Sequence, residues 1–139
     1  MANVPEGDVE EKIEVGTRFQ TPRNMAARIR RDIEQLNLPW IRSIALRANP
    51  FQCDIYFRGP AGSDYYLKVF HVFVQFPANY PFLPPIVTFL QETDLQEVDP
   101  VSGVLTMKLL DPRYWDSTCT LLDIMTCIYY ILKTQRPKM

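Results

Sequence analysis

Five singly scattered glycines, one histidine, three cysteines and no apolar run of bilayer length leave this 139-residue chain short of several usual carriers of chemistry. The isolated glycines form no loop that could cradle a phosphate. Cys53, Cys119 and Cys127 make no CxxC pair, and with His71 as the only histidine they do not supply a zinc ligand set. An odd, sparse cysteine count fits a reduced chain of the cytoplasm or nucleus rather than a disulfide framework. The longest apolar stretch, Leu121 to Leu132, is broken by Asp123 and Thr126 and falls short of the roughly 20 residues that span a bilayer, so membrane insertion is not expected. With 15 basic against 16 acidic residues the net charge is −1, so no basic field draws the chain toward nucleic acid. No cofactor and no metal are expected.

What is present is an ordinary globular composition, 47% hydrophobic and 22% charged, in a length that suits one core. Residues 1–20 carry Glu6, Asp8, Glu10, Glu11 and Glu14 with no sustained apolar period and read as a flexible acidic N-terminal arm; the domain occupies residues 21–139. Thr21 is a candidate cap with Pro22 at the first helical position. Met25, Ile29, Ile33 and Leu36 then recur at helical spacing, which predicts one amphipathic helix ending near Asn37. Its other face, Arg23, Arg28, Arg30, Arg31 and Glu34, is either solvated or a docking surface.

Three strand-like segments follow, Ile41 to Arg47, Phe51 to Arg58 and Leu67 to Phe76, separated by turn sequences, and they read as an antiparallel meander. Strand alternation puts Cys53, Ile55, Phe57, Phe70, Val72, Val74 and Phe76 on a core face. The outer face then carries Asp54, Tyr56 and Arg58 beside His71 and Phe73, and the exposed aromatics Tyr56 and Phe73 mark a candidate contact patch. The prolines of Tyr80-Pro81-Phe82-Leu83-Pro84-Pro85 require a rigid turn, with Tyr80-Pro81 a candidate cis bond. Ile86 to Leu90 forms a fourth strand, and Asp99 to Gly103 a turn in an irregular stretch. A final helix, capped by Ser117 or Thr118 and running to about Lys133, is apolar on nearly every side and belongs at the centre of the core.

Little of this points to catalysis. His71 has no motif around it, and the acids show no recognisable pairing. A cysteine nucleophile is the one enzymatic option, since a thiolate suits thioester exchange; Cys119, near a helix start, is its best-placed candidate and otherwise a small packing residue.

The order of elements and the local strings resemble the ubiquitin-conjugating (UBC) fold, an α+β architecture. Ala27 to Leu36 is similar to its first helix, and Phe57-Arg58-Gly59-Pro60 with Tyr65 and Phe70 to the approach to its third strand. Phe76-Pro77-Ala78-Asn79-Tyr80-Pro81-Phe82-Leu83-Pro84-Pro85 with Val87 and Phe89 matches the family string FPxxYPxxPPxVxF at every fixed position. Trp115 matches the tryptophan before the second helix, so the resemblance covers about residues 21–133. It implies an N-terminal helix on a four-stranded meander sheet with a central helix after it.

The resemblance also shows where this chain departs. Active members carry His-Pro-Asn after the fourth strand and a catalytic cysteine three residues beyond a glycine. Counting from Gly103 puts Thr106 at the cysteine and Val98 near the oxyanion asparagine; counting from Tyr80 shifts the register by one, to Leu105 and Glu97. No cysteine lies between Cys53 and Cys119, so both registers lack it. A threonine hydroxyl stays protonated near neutral pH whereas a thiol of pKa ~8.5 need not.

This double loss is that of the inactive ubiquitin-conjugating enzyme variants, the UEV group. The sequence also ends at Met139, where full conjugating enzymes continue through two more helices. The resemblance implies a non-catalytic module that binds an active conjugating enzyme, ubiquitin or both, and positions ubiquitin for chain formation, with a ligase or larger complex as a further partner. Partner-binding candidates are Met25, directly after Pro22-Arg23-Asn24, which either docks a partner or packs in the helix core; Arg28; Tyr56 and Phe73; and Phe82, at a position where active enzymes meet ligases. Ser117 and Thr118 depart from the Ser-Pro-Ala of the other ligase loop. A short match at Val98-Asp99-Pro100 and Ser102-Gly103 resembles the fused-toes adaptors and implies the alternative, a structural adaptor without ubiquitin transfer.

Overall fold

In the computed structural model of the chain, residues 22–135 are described; the arm read over residues 1–20 and the cap read at Thr21 lie outside them. The amphipathic period produces helix α1, Pro22–Glu34. It ends about a turn before the expected Asn37, because the Leu36 N–H turns back to the Ile33 carbonyl at 3.0 Å in a tighter closure. Leu36 is buried all the same.

Strands β1 (Ile41–Leu46), β2 (Gln52–Arg58), β3 (Val69–Gln75) and β4 (Ile86–Phe89) pair antiparallel in the order β1-β2-β3-β4, the expected meander. Each is one to three residues shorter than its apolar run, and β1 carries an irregularity between Ile41 and Ser43. The register sets Asp54 opposite Phe73 and Tyr56 opposite His71, as alternation requires. Tyr80-Pro81 is cis.

The final helix, α2, spans Leu121–Thr134 and corrects the expected cap: Thr120, not Ser117 or Thr118, starts it. The Thr120 hydroxyl accepts from the Asp123 N–H at 3.3 Å while the Asp123 carboxylate accepts from the Thr120 N–H at 2.9 Å, a reciprocal capping box. Thr118 instead closes a turn on Asp116, whose carboxylate accepts from its N–H at 2.8 Å and from its hydroxyl. Cys119 therefore precedes the helix.

The inner sheet face (Cys53, Ile55, Phe57, Phe70, Val72, Val74, Val87, Phe89) and the α2 stripe (Leu121, Ile124, Met125, Ile128, Leu132) belong to one buried cluster, which Met25 and Ile29 of α1 join. Tyr130, at 60% exposed, is on the open side of α2. No helix among the described residues is long and apolar enough to cross a membrane.

Candidate functional site

Thr106 is exposed on the segment that follows the Asp99–Gly103 turn. The turn closes through the Gly103 N–H to the Asp99 carbonyl at 2.8 Å and the Asp99 N–H to the Val104 carbonyl at 3.0 Å. Gly103 has φ +80°, and a Cβ there would lie 2.3 Å from the Phe89 carbonyl oxygen, so the turn seals the open edge of β4 only with glycine. Leu105 and Val98 form an antiparallel bridge and both are buried. The Glu97 carbonyl accepts from the Thr106 N–H at 2.7 Å and from its hydroxyl at 3.0 Å. The Thr106 hydroxyl proton is thus given to a carbonyl oxygen, which cannot act as a base, and Val98 contributes an apolar side chain with no donor to stabilise an oxyanion.

The three cysteines lie away from Thr106 in the sequence, at positions 53, 119 and 127. Cys53 is fully buried in β2, and burial pushes its thiol up to about 12. Cys127 is raised for the same reason. The Cys119 Sγ lies 4.0 Å from the Asp116 carboxylate. Among the described residues no group of three or more His, Cys, Asp or Glu could hold a metal ion.

The outer sheet face is more organised than its sequence pattern indicates. Arg47, carried back across the Asn49-Pro50 hairpin, grips Asp54 with Nε at 2.7 Å and Nη2 at 2.8 Å. Its guanidinium also covers the Phe73 ring at 3.9 Å. His71 Nε2 lies 2.7 Å from Asp54 Oδ1. An ionised carboxylate only accepts, which puts the ring proton on Nε2. The His71 ring stacks on Tyr56 at 4.1 Å, and Tyr56 remains 37% exposed. The Arg47 pair, and after it His71, holds the Asp54 carboxyl down at about 2, well under the ordinary carboxylate range. Tyr56 and Phe73 therefore lie together on one charged surface, joined through His71, Asp54 and Arg47, and strand alternation alone does not pair Arg47 with Asp54.

The other two partner-binding candidates on α1 lie elsewhere. Met25 is 2% exposed and belongs to the core. Arg28 donates to Asp32 at 3.0 Å and to the carbonyls of Ser117 at 3.2 Å and Cys119 at 2.7 Å. Met25 thus takes the core alternative of its two readings, and Arg28 has three of its donors engaged within the fold, so both pack inside the domain; the exposed face of α1 is Arg23, Asn24, Ala27, Arg30, Arg31 and Glu34. Asp32, buried behind Arg28, also accepts from the Tyr80 hydroxyl, and this α1–turn connection had no local signal in the sequence. Phe82 is half-buried in the proline-rich turn, its N–H donating to the Asn79 carbonyl at 2.8 Å. Trp115 is buried beside that turn and donates to the Pro81 carbonyl at 2.7 Å. A surface cavity of about 540 Å³ beside Thr106 is lined by Pro85, Ile86, Leu105, Met107 and Leu110, with Lys108 and Asp111.

This two-helix, four-stranded arrangement, with a proline-rich turn held under a buried tryptophan, is the UBC architecture. A family model described as ubiquitin-conjugating enzyme matches residues 27–139, and the chain belongs to the ubiquitin-conjugating enzyme family. Among curated proteins it is 26% identical over 76 residues to the ubiquitin-conjugating enzyme E2-21 kDa of Saccharomyces cerevisiae, covering 54% of this chain and 42% of that protein. It is 29% identical over 80 residues to ubiquitin conjugating enzyme E2 B of Dictyostelium discoideum, covering 58% of this chain and 53% of that one. The chain thus spans about half the length of the curated relatives it matches. The solved structure of human ubiquitin-conjugating enzyme E2 G1 superposes with a TM-score of 0.70 at 22% identity, over 80% of this chain and 93% of that one, a likeness of fold.

Proposed function

We propose that this chain is a non-catalytic member of the family, of UEV type, which binds an active conjugating enzyme, ubiquitin or both and positions ubiquitin for attack within the complex. The observation that carries the reading is the state of Thr106. At the position where the resemblance expects a cysteine stands a hydroxyl that donates its proton to the Glu97 carbonyl, next to a buried valine. Holding two reactants oriented in one complex contributes through translational and rotational freedom already lost on binding and needs no nucleophile from this chain. The outer sheet face, with Tyr56 and Phe73 braced by the Arg47–Asp54–His71 network, is the contact surface this reading favours. The free cysteines accord with a reducing compartment, cytoplasm or nucleus.

A second reading, a structural adaptor without ubiquitin transfer, is supported by the closed Asp99–Gly103 turn that carries the fused-toes resemblance. Two measurements on the full chain separate these readings, the first from an active enzyme and the second from each other. Incubation with activating enzyme, ATP and ubiquitin is expected to give no reductant-sensitive conjugate; a conjugate abolished by Cys119→Ser overturns the non-catalytic reading. Titration of labelled protein with ubiquitin and with active conjugating enzymes is expected to shift resonances at Tyr56 and Phe73. Silence toward all of them transfers the assignment to the adaptor.

A further inference from the structure

We infer that the cavity beside Thr106 is a docking groove for an acidic, extended segment of a partner protein, an apolar side chain entering the groove and a carboxylate pairing with Lys108. This surface is separate from the outer sheet face and does not depend on what that face binds.

The groove, about 540 Å³, has the size of a binding cleft and an apolar lining of Pro85, Ile86, Leu105, Met107 and Leu110. Ile86 is 51% exposed, so the lining opens to solvent. The sign of the occupant follows from the charges around it. Asp111, the acid of the lining, is bound by the Arg113 fork, with Nη2 to Oδ2 at 2.7 Å and Nε to both carboxylate oxygens at 3.2 Å. Lys108 stands in no ion pair among the described residues; its ammonium rests over the Tyr114 ring, 4.6 Å from the centroid. Arg113 approaches the same ring at 5.8 Å and is 79% exposed. Tyr114 itself is 53% exposed. The groove therefore carries one uncompensated charge, the Lys108 ammonium, beside the mutually neutralised Asp111–Arg113 pair, with the exposed Tyr114 ring next to both cations. That balance attracts carboxylates and opposes a basic segment. A strand-like peptide alternating apolar and acidic residues presents the two chemistries on opposite sides, one for the lining and one for Lys108.

The test uses two fluorescent peptides of equal length, one alternating leucine with glutamate and the other leucine with arginine, titrated into the full chain with amide resonances followed. The acidic peptide is expected to bind more tightly and to shift Met107, Lys108 and Leu110. Lys108→Glu is expected to weaken it about fivefold, the range of a surface ion pair, and to strengthen the basic peptide, with the thermal midpoint unchanged because Lys108 is exposed. Equal binding of the two peptides, tighter binding of the basic one, shifts confined to Tyr56 and Phe73, or no binding at all each overturn the inference. Silence of the outer face toward ubiquitin leaves it standing, so the two proposals fail separately.

Discussion

Asp54 is the residue on which the outer sheet face turns, since one carboxylate holds a guanidinium from β1's end and an imidazole from β3. The Arg47 hydrogen bonds hold its carboxyl down at about 2 in the folded protein, against an unfolded value of 3.8. A depressed folded value means that the stabilisation is complete above the unfolded value and is lost as pH falls from about 4 through about 2. Discounted for the partial exposure of the Arg47 end, it is on the order of 1–2 kcal/mol. Asp54→Asn is expected to cost about that much near neutral pH and to flatten the acid limb; urea midpoints measured from about pH 7 down to about pH 2.5 read both effects. An unchanged acid limb refutes the assignment. Strand alternation was enough to place Asp54, Tyr56, His71 and Phe73 on one face, because the period of a strand is local. It could not supply Arg47 as their partner, which depends on how the hairpin at Asn49-Pro50 closes.

Between elements, the joint that matters most is Arg28. From the middle of α1 it reaches the two carbonyls that precede α2, and it neutralises Asp32, which is 1% exposed. Burial and the Asp32 bond push the Tyr80 hydroxyl far above its ordinary range, so that phenol stays a donor. Arg28→Met keeps most of the aliphatic stem but leaves a buried carboxylate without its cation and two carbonyls without donors. A loss of about 3–5 kcal/mol is expected in chemical denaturation, partly recovered when Asp32→Asn is added. Equal stabilities of the single and double variants refute the coupling. The apolar period located α1 because it is written every three or four residues. Asp32 read as polar surface because Tyr80, its partner, is 48 positions away. The α2 cap was displaced although its signal is local: Ser117, Thr118 and Thr120 are all capping types, but only Thr120 has an acid, Asp123, three residues on, and the reciprocal bonds form there.

For the whole molecule, the architecture was legible because both periods, the turn residues and the proline-rich string pointed to one fold. The site was legible only as a departure: the sequence shows no cysteine between Cys53 and Cys119, while the engaged Thr106 hydroxyl and the groove beside it arise from chain segments meeting after folding. A single buried cluster includes α1, the inner sheet face and α2, so the fold is expected to unfold as one cooperative unit. Ile128 is 1% exposed in the stripe of α2. Replacing it with alanine removes buried methyl and methylene groups and leaves a cavity, a cost of about 2–5 kcal/mol against a total of about 5–15 for a domain of this kind. The two tryptophans report on different parts of the structure: Trp40 lies 5.8 Å from Phe57 and 5.1 Å from Tyr129, while Trp115 is held under the proline-rich turn. In urea, Ile128→Ala is expected to move the fluorescence transition of each tryptophan, isolated by replacing the other with phenylalanine, and the far-ultraviolet dichroism transition to one lower midpoint. Separated transitions would mean that the sheet and α2 unfold independently, and the buried cluster would then be two cores in contact rather than one.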